Sequence, residues 1–481
     1  MTILSYNQAA HLLRRMGFGG PPSEIEGLVA LGREGAVDYL LNYDRIDNGP
    51  MEEVMSQCFD FGDGFDREKF SAGGGELRRW WFTRMVYTRR QFEEKMTLFW
   101  HNYFATGTSK VPAQHMCLQN LTLRAHATAQ FDTLLLKVAQ DPAMIVWLDN
   151  QANVVGSPNE NFARELQELF TTGIRDVVTG EANYTEADVR EVARAFTGWR
   201  CRRTDRFNKF AMEFYIDPAR HDEGDKTIFG QTANFNGQDV VQLLAARRST
   251  ARFLTKKLFE FFVHPLTHSP ADRALIDSFA DVYVASGHSV KELVRSIFTS
   301  DHFFSSRAMF ALIKMPVEFI VGSIRMLGAT YLPGPPALKA PQPLSVPSVF
   351  MGQEILNPPD VAGWDLNMGW INTASMMERF NFANALLANR DTTSVGVFVT
   401  NDQLRSYASP DITETVQNFL SRLGPIKVNK ETVRQLRYYL SMDNKGAITS
   451  GSGFTLNDRT VDKKLRGLAR LIMCMPEFQL N

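Results

Sequence analysis

The chain has 481 residues, with 52 Lys and Arg against 53 Asp and Glu, and therefore a formal net charge of -1. Its 44% hydrophobic and 22% charged content is that of an ordinary globular protein. Because balanced charge supplies no basic field for steering onto nucleic acid, we expect no nucleic-acid partner. The four cysteines form no CxxC pair, which argues against a disulfide framework and a thiolate zinc site.

The stretch HLLRRMGFGG contains the pair Arg14-Arg15, which hints at a twin-arginine export signal. A charged stretch follows it in place of the apolar segment and cleavage site that such a signal needs. The chain also contains no apolar window of about eighteen residues, so we expect no membrane span. These features predict a cytoplasmic location, with a periplasmic or exported location kept open.

Helical periodicity dominates the first quarter of the chain. SYNQAAHLLRRMG predicts a helix that ends at Gly17, and the next stretch to Asn42 predicts two helices with Ser23 as a cap. The glycine-rich residues 51–75 predict an irregular insertion. ELRRWWFTRMVYT and RRQFEEKMTLFWHNYFAT then predict two strong helices, the second with an aromatic core stripe.

The second quarter is predicted to be helical over 113–139 and again from Pro142. Ser157 and Glu160 form a capping-box pattern for a helix that Gly173 should end. Thr185 and Asp188 form the same pattern for the next helix, which Gly198 should end. Residues 200–236 predict a second irregular insertion, and the alternation in FAMEFYID predicts a short strand or hairpin within it.

Helices resume from 237 to 328. One of them, TARFLTKKLFEFFV, carries Lys256 and Lys257 on what the pattern predicts to be a solvated face. The proline-rich stretch 332–347 predicts an extended connector that opens a third irregular insertion, 332–375. More helices and one candidate strand, TSVGVFVT, complete the chain. We therefore predict a mainly α protein, one large multi-helix domain over 1–481 with a small β-hairpin insertion.

The stretch PNENFARELQELFTTG sets Asn161, Glu165 and Glu168 at positions i, i+4 and i+7 of a helix. Two glutamates one turn apart repel each other unless water, an arginine or a metal ion stands between them. The stripe contains no cation of its own, although Arg164 lies at its margin. It is therefore either a solvated face or the wall of a site.

Other polar residues can each be interpreted as structural or as part of a site. His101 and Asn102 lie among aromatics in FWHNYF, as core residues or as parts of a site. The pair His221-Asp222 suits a base, a metal ligand or a turn. Trp364 and Trp370 flank Asp365 and Asn367 and either stack on sugars or bases or fill the core. No motif of a zinc peptidase, serine hydrolase, P-loop or dinucleotide-binding protein is present.

Several stretches together resemble the bacterial family known as "domain of unknown function 1800". They are HLLRRMGFG, LFWHNYF, NENFARELQELFTTG, YTEADVREVARAFTGW, HDEGDKTIFG, TARFLTKKLFEFFV, PPDVAGWDLNMGWIN and GLARLIMCMPEFQ. The resemblance covers nearly the whole chain and implies one helical domain, but it implies no established activity. It also implies a candidate partner protein of a sulfatase-like family, and many relatives look exported, whereas this sequence lacks the leader.

We expect an enzyme with a carboxylate and histidine pocket that hydrolyses or transfers a group on a polar substrate. Its candidate catalytic residues are Glu165, Glu168, His101, His221 and Asp222. The candidate substrate-binding residues are Asn102, Asn161, Trp364 and Trp370. Glu165, Glu168 and His101 are candidate ligands for a divalent metal ion. The alternative is a non-catalytic helical scaffold that binds a partner protein and uses these blocks as internal hydrogen-bond networks.

Overall fold

A computed structural model describes residues 3–59, 73–206, 208, 210–267, 269–331, 344–388, 396–442 and 455–481. Over these residues the chain is mainly α-helical and contains three two-stranded antiparallel sheets. The strand pairs are β1 (Trp199–Arg203) with β2 (Met212–Ile216), β3 (Lys226–Ile228) with β4 (Gln231–Ala233), and β5 (Thr330–Tyr331) with β6 (Val397–Phe398). The predicted mainly α fold with a small hairpin insertion is confirmed.

The helices follow one another along the whole described chain. The first eleven are α1 (Tyr6–Met16), α2 (Pro22–Leu41), α3 (Gly49–Cys58), α4 (Gly74–Tyr87), α5 (Gln91–Tyr103), α6 (Ala113–Ala125), α7 (Phe131–Ala139), α8 (Pro142–Trp147), α9 (Asn161–Glu168), α10 (Glu186–Ala195) and α11 (Gly237–Ala245). The others are α12 (Arg248–Phe262), α13 (Pro270–Ala285), α14 (Val290–Thr299), α15 (Pro316–Leu327), α16 (Ser345–Phe350), α17 (Thr373–Leu386), α18 (Asn401–Ser406), α19 (Ile412–Arg422), α20 (Lys430–Ser441), α21 (Asp458–Thr460) and α22 (Arg466–Cys474).

Local signals set several of these boundaries. Helix α1 ends at Gly17 as predicted, and the Thr185-Asp188 capping box opens α10 as predicted. Helix α2 begins directly after Pro21, so Ser23 lies inside the helix and does not cap it. Gly32, with φ of 68°, kinks α2 and accounts for the two helices that the sequence predicts there.

The helix α9 starts later and ends earlier than the sequence predicts. Ser157 forms a β-bridge with Val154, which leaves it unable to cap the helix, and no side chain caps the first turn. The chain leaves the helix after Glu168, and Gly173 closes the following turn with φ of 73°. The predicted capping box at Ser157 and Glu160 is therefore wrong, because the local bridge with Val154 keeps the serine away from the helix end.

Two of the predicted irregular insertions contain helix. Residues 51–58 belong to α3, because Met51 and Met55 form an apolar stripe one turn apart and both are buried. Residues 345–350 form α16, in which Pro347 occupies the first turn and so removes no helical hydrogen bond. Of the remaining residues of these two stretches, 60–72 and 332–343 lie outside the described residues.

Helix α5 lies at the centre of the packing. It contacts α1, α2, α4 and α6, and its aromatic residues reach two further helices. Phe92 meets Phe298 of α14 with ring centroids 5.7 Å apart, and Phe99 meets Phe261 of α12 at 5.1 Å. These contacts belong to one hydrophobic cluster that runs from Leu4 to Phe478. The aromatic stripe that periodicity predicts for this helix is confirmed.

Helix α5 also buries a carboxylate. Glu94 is 0% exposed and accepts hydrogen bonds from Arg84 at 2.9 Å, from Arg124 at 2.8 and 3.0 Å, and from the Trp81 indole at 2.9 Å. Burial alone would raise the pKa of Glu94, but the two guanidinium groups lower the pKa from 4.5 to about 2. This ion cluster ties α4, α5 and α6 together.

The next residue, Lys95, is also buried, at 1% exposure. Its ammonium group donates to the Gly17 carbonyl at 2.9 Å and forms an ion pair with Glu318 of α15. The second oxygen of Glu318 accepts the Met315 N–H at 2.9 Å at the start of that helix. Glu94 thus connects α5 to α4 and α6, and Lys95 connects it to α15 and to the end of α1.

Among the described residues, no helix combines the length and the apolar character that crossing a lipid bilayer requires.

The Glu94 cluster yields a prediction about stability. Glu94→Gln should lower the free energy of unfolding by about 3–5 kcal/mol, because it leaves two buried guanidinium groups without a counter-charge. Glu213→Gln is the matched control, since Glu213 pairs with Arg202 on the exposed hairpin. That change should cost less than about 1 kcal/mol. Urea unfolding followed by far-UV circular dichroism measures both, and equal losses would contradict the role given to Glu94.

The same cluster makes the stability depend on pH. Because the pKa of Glu94 is lower in the folded chain, its contribution is present above pH 4.5 and is lost as the pH falls towards 2. We therefore expect the stability difference between the wild type and Glu94→Gln to shrink over this range. A difference that stays constant from neutral pH to pH 2 would show that the carboxylate charge is not what stabilises the cluster.

Candidate functional site

The end of α5 holds the loop 351–372, which connects α16 with α17. The Leu356 N–H donates to His101 Nε2 at 2.9 Å. The Trp364 N–H donates to Asn102 Oδ1 at 2.7 Å, and Asn102 Nδ2 donates to the Trp364 carbonyl at 3.5 Å. Two neighbouring polar residues of one helix therefore fix two points of the same loop, which we call the anchored loop.

The chemistry of His101 follows from its burial. The ring is 1% exposed and lies against Trp81 and Trp364, with ring centroids 5.4 and 5.6 Å away. Burial lowers the pKa of His101 to about 3, so the ring is neutral at physiological pH. Because Nε2 accepts a hydrogen bond, the proton of the neutral ring is on Nδ1. His101 therefore acts here as a structural hydrogen-bond acceptor.

Gly363 allows the close approach of the anchored loop to α5. Its φ is 84°, and a Cβ at this position would overlap both the backbone and the side-chain oxygen of Asn102. Only glycine satisfies both the left-handed backbone and the short distance. The hydrogen bonds between Asn102 and Trp364 depend on this contact.

A cavity of about 340 Å³ lies between α5, α12 and the anchored loop. Its lining comes from several distant parts of the chain and consists of Phe99, Asn102, Tyr103, Leu169, Lys257, Glu260, Phe261, Pro265, Ala362, Trp364, Asp365, Leu366 and Asn367. A volume of this size lies within the range of small-molecule sites. The predicted site residues Asn102 and Trp364 are both part of its wall.

Three charged side chains of the lining have no hydrogen bond or ion pair with any described residue. They are Lys257 and Glu260 of α12, both half-buried, and Asp365 of the anchored loop, which is exposed. Burial lowers the pKa of Lys257, and so does the charge of Lys256, whereas Glu260 and Asp365 act in the opposite direction. These groups are free to bind or to exchange protons with a molecule in the cavity.

The stripe on α9 reaches this region at one end. Leu169, which follows α9, lines the cavity, and the Tyr103 hydroxyl donates to the Phe170 carbonyl at 3.2 Å. Glu165 is half-buried; burial raises its pKa, and repulsion from Glu168 raises it further. The Glu168 carboxylate accepts a hydrogen bond from the Tyr184 hydroxyl at 2.9 Å. These two carboxylates therefore have different surroundings.

Asn161, the first residue of α9, is exposed. Its backbone N–H donates to Asn159 Oδ1 at 2.9 Å. Asn161 is not among the residues that line the cavity.

The pair His221-Asp222 lies at the end of α10 and not in the cavity lining. His221 Nδ1 lies 2.8 Å from the Thr197 carbonyl, which accepts its hydrogen bond. The Asp222 carboxylate binds the Arg194 guanidinium through two hydrogen bonds of 2.8 and 3.2 Å, and this partner lowers its pKa. Both side chains are thus used to hold the loop after β2 on α10.

Trp370 lies beside the main cavity. It lines a much smaller hollow of about 10 Å³, which shares Glu260, Phe261 and Leu366 with the main cavity and reaches Glu318. Trp370 is buried, and its indole N–H has no hydrogen-bond partner among the described residues. A hollow of this size has room for about one water molecule.

The three candidate metal ligands, Glu165, Glu168 and His101, do not converge on one point. Within the described ranges, no three His, Cys, Asp or Glu side chains converge in a way that could hold a metal ion. Glu165 and Glu168 are one turn apart, but the metal-binding lone pair of His101 is occupied by the Leu356 N–H. The function proposed below therefore includes no metal chemistry at these residues.

The interpretation of Lys257 as a solvated residue is wrong, because its side chain lines the cavity. The sequence contains a signal for this position. Phe253, Lys257 and Phe261 recur every four residues and so share one face of α12. The Lys257 ammonium lies 5.4 Å from the centre of the Phe253 ring. A lysine in the middle of an aromatic stripe packs its aliphatic stem on apolar surface, which predicts a half-buried side chain.

The contact at Gly363 can be tested with two alanine substitutions. Gly363→Ala and Gly156→Ala both place a side chain at a positive φ, 84° and 81°, which costs about 1–2 kcal/mol. Gly156 has open space around it, whereas a Cβ at Gly363 overlaps Asn102. We expect Gly363→Ala to cost about 1–3 kcal/mol more in urea unfolding. Equal losses would mean that the anchored loop does not depend on this approach.

The comparisons with known proteins give a family and no activity. The profile of the family described as "Protein of unknown function (DUF1800)" matches residues 11–480. No curated protein and no solved structure matches the chain. The match covers nearly the whole chain and confirms the resemblance that the sequence motifs indicate. The protein therefore belongs to the DUF1800 family of proteins of unknown function.

Proposed function

We propose that this protein is an enzyme that binds a small polar substrate in the cavity between α5, α12 and the anchored loop. The observation that carries the proposal is a set of three charged groups on the cavity wall, Lys257, Glu260 and Asp365, which form no hydrogen bond or ion pair with the part of the chain that the structure describes. Charged side chains in a folded protein are normally paired or fully solvated. Unpaired charges that line one concave wall are what a binding or proton-transfer site requires.

The cavity wall is suited to a molecule with both polar and apolar surface. Phe99, Tyr103, Phe261 and Trp364 supply aromatic surface, and each is at most 7% exposed, which means that packing holds it in place. The amide of Asn367 is fixed as well, because its Oδ1 accepts the Ile313 N–H at 3.3 Å. A rigid aromatic wall with a few polar groups can orient a substrate without first ordering the site.

The chemistry we propose is hydrolysis or group transfer assisted by proton transfer. Glu260 and Asp365 would exchange protons with the substrate, and the Lys257 amine would contact a polar group of the substrate directly. Glu165 is a further candidate acid, since its backbone carbonyl accepts the N–H of the cavity residue Leu169 at 2.9 Å, which places it next to the cavity wall. Its raised pKa favours the protonated form that an acid needs.

Several of the predicted site residues use their side chains to stabilise the protein itself, which favours the alternative of a non-catalytic scaffold. His101, Asn102, His221 and Asp222 all use their side chains in internal hydrogen bonds, as expected for a scaffold. We therefore propose that His101 positions the anchored loop, that Asn102 both positions this loop and borders the substrate, and that His221 and Asp222 hold the loop after β2 away from the site. The sulfatase-like partner protein stays a prediction of the family resemblance.

The test is a thermal-shift screen of polar metabolites, followed by calorimetry and by mass spectrometry for turnover. A true ligand at roughly 100 times its Kd should stabilise the wild type by about 2.7 kcal/mol. Glu260→Gln and Asp365→Asn should weaken binding by about tenfold or more, because each removes a charge-assisted hydrogen bond. Turnover should fall by about a hundredfold or more in these variants.

Glu431→Gln is the matched control, since Glu431 lies on α20 in an exposed pair with Arg434 and away from the cavity lining. It should bind and turn over the ligand like the wild type. Binding that is insensitive to both cavity variants would place the ligand elsewhere. Binding in the cavity without any turnover would exclude the enzyme and leave a ligand-binding protein.

A further inference from the structure

Lys257 has surroundings unlike those of a surface lysine. Its side chain is half-buried and lines the cavity, and its ammonium group makes no hydrogen bond or ion pair within the described residues. Two buried lysines of this chain, Lys95 and Lys226, have such partners. Lys95 is paired with Glu318, and the ammonium of Lys226 donates to two carbonyls and to Asn234. Lys257 is therefore an amine at a cavity wall that contacts the Phe253 ring and has no hydrogen bond or ion pair within the described residues.

Burial and the neighbouring Lys256 favour a neutral amine, and together they outweigh the opposite effect of Glu260 and Asp365. Burial lowers the pKa of Lys257, and the adjacent positive charge of Lys256 lowers it again. Desolvation and a nearby cation are the two means by which proteins turn a lysine into a nucleophile at neutral pH. The aromatic ring of Phe253 and the cavity residue Phe261 supply the apolar part of this environment.

Two carboxyl groups complete the arrangement. Glu260 is one turn away from Lys257 on α12, and Asp365 faces the same cavity from the anchored loop. Attack of an amine on a carbonyl group needs a group that gives and takes protons nearby, because the carbonyl oxygen must leave as water. The nucleophile and the proton carriers thus line one cavity large enough for a small molecule.

We propose that Lys257 is the nucleophile of this site and forms an imine with a small aldehyde or ketone that carries further polar groups. The inference rests on the proposed function, since it takes the same cavity as the active site. It adds the covalent step and the class of substrate, a carbonyl compound.

The step balances without any co-reactant. The lone pair of Lys257 Nζ forms a bond with the carbonyl carbon, and one amine proton reaches the carbonyl oxygen through a carboxyl group. The resulting carbinolamine loses its hydroxyl as water, with the proton for this water supplied by Glu260 or Asp365. The remaining proton on nitrogen returns to that carboxylate. One amine and one carbonyl therefore give one imine and one water.

The test traps the imine by reduction. The full-length protein is incubated at neutral pH with limiting glycolaldehyde or glyoxylate and with cyanoborohydride, and fragment spectra locate the adduct. Lys256 is the matched internal comparison, because it is also half-buried but lines a separate small hollow with Asp272 and Arg273. Because burial lowers the pKa of Lys257 and because Glu260 and Asp365 line the same cavity as possible proton carriers, Lys257 should carry about tenfold more adduct than Lys256.

Variants distinguish the reactive amine of Lys257 from the carboxyl groups that assist it. Lys257→Met should abolish the fast labelling, whereas Lys256→Met should leave Lys257 as the main labelled residue. Glu260→Gln and Asp365→Asn should slow trapping at Lys257 by about tenfold or more, because the dehydration step loses a proton carrier. The wild-type comparison of two adjacent lysines needs no variant and remains valid if Lys257→Met does not fold.

Equal labelling of the two lysines, or labelling in the order of their exposure, would overturn the proposal. So would an absence of adduct at Lys257 with both carbonyl probes. These failures differ from failure of the proposed function. A polar ligand that binds the cavity and is turned over, without any trapping at Lys257, would retain the enzyme and remove the imine.

Discussion

Glu94 and Lys95 are consecutive residues of opposite charge, and both are buried in α5. A buried charge persists in a folded chain only where it is paired and hydrogen-bonded. Glu94 satisfies this condition with Arg84 and Arg124, and Lys95 satisfies it with Glu318 and the Gly17 carbonyl. The position and the rotation of α5 are therefore fixed from two sides, since a different rotation would leave at least one charge unpaired.

The candidate site depends on this fixed helix. The last turn of α5 carries His101 and Asn102, which bind the backbone of the anchored loop, and Phe99, which packs on Phe261 of α12. The cavity lies between these three elements. Its lining is built from LFWHNYF, TARFLTKKLFEFFV and PPDVAGWDLNMGWIN, with Leu169 from NENFARELQELFTTG. Four of the stretches that carry the family resemblance thus meet in one place.

The polar residues of the family stretches form two groups. One group has hydrogen-bond partners within the chain, and the other has none among the described residues. His101, His221 and Asp222 have partners inside the chain, so their chemistry is used to hold structure. Lys257 and Glu260 have none among the described residues and line a concave surface. Residue type and family motif alone do not separate the two groups, because both contain charged or titratable side chains.

The sequence by itself determined the mainly helical fold, the family, the aromatic stripe of α5 and the caps of helices such as α10. Each of these depends on residues within about two turns of one another, where periodicity and capping act. Asn102 and Trp364 are 262 positions apart, and only the tertiary structure brought them together. It also decided that Lys257 lines the main cavity while the adjacent Lys256 lines a separate small hollow. The physical reason is that helical spacing fixes which side chains share a face, whereas the partner of that face comes from elsewhere in the chain.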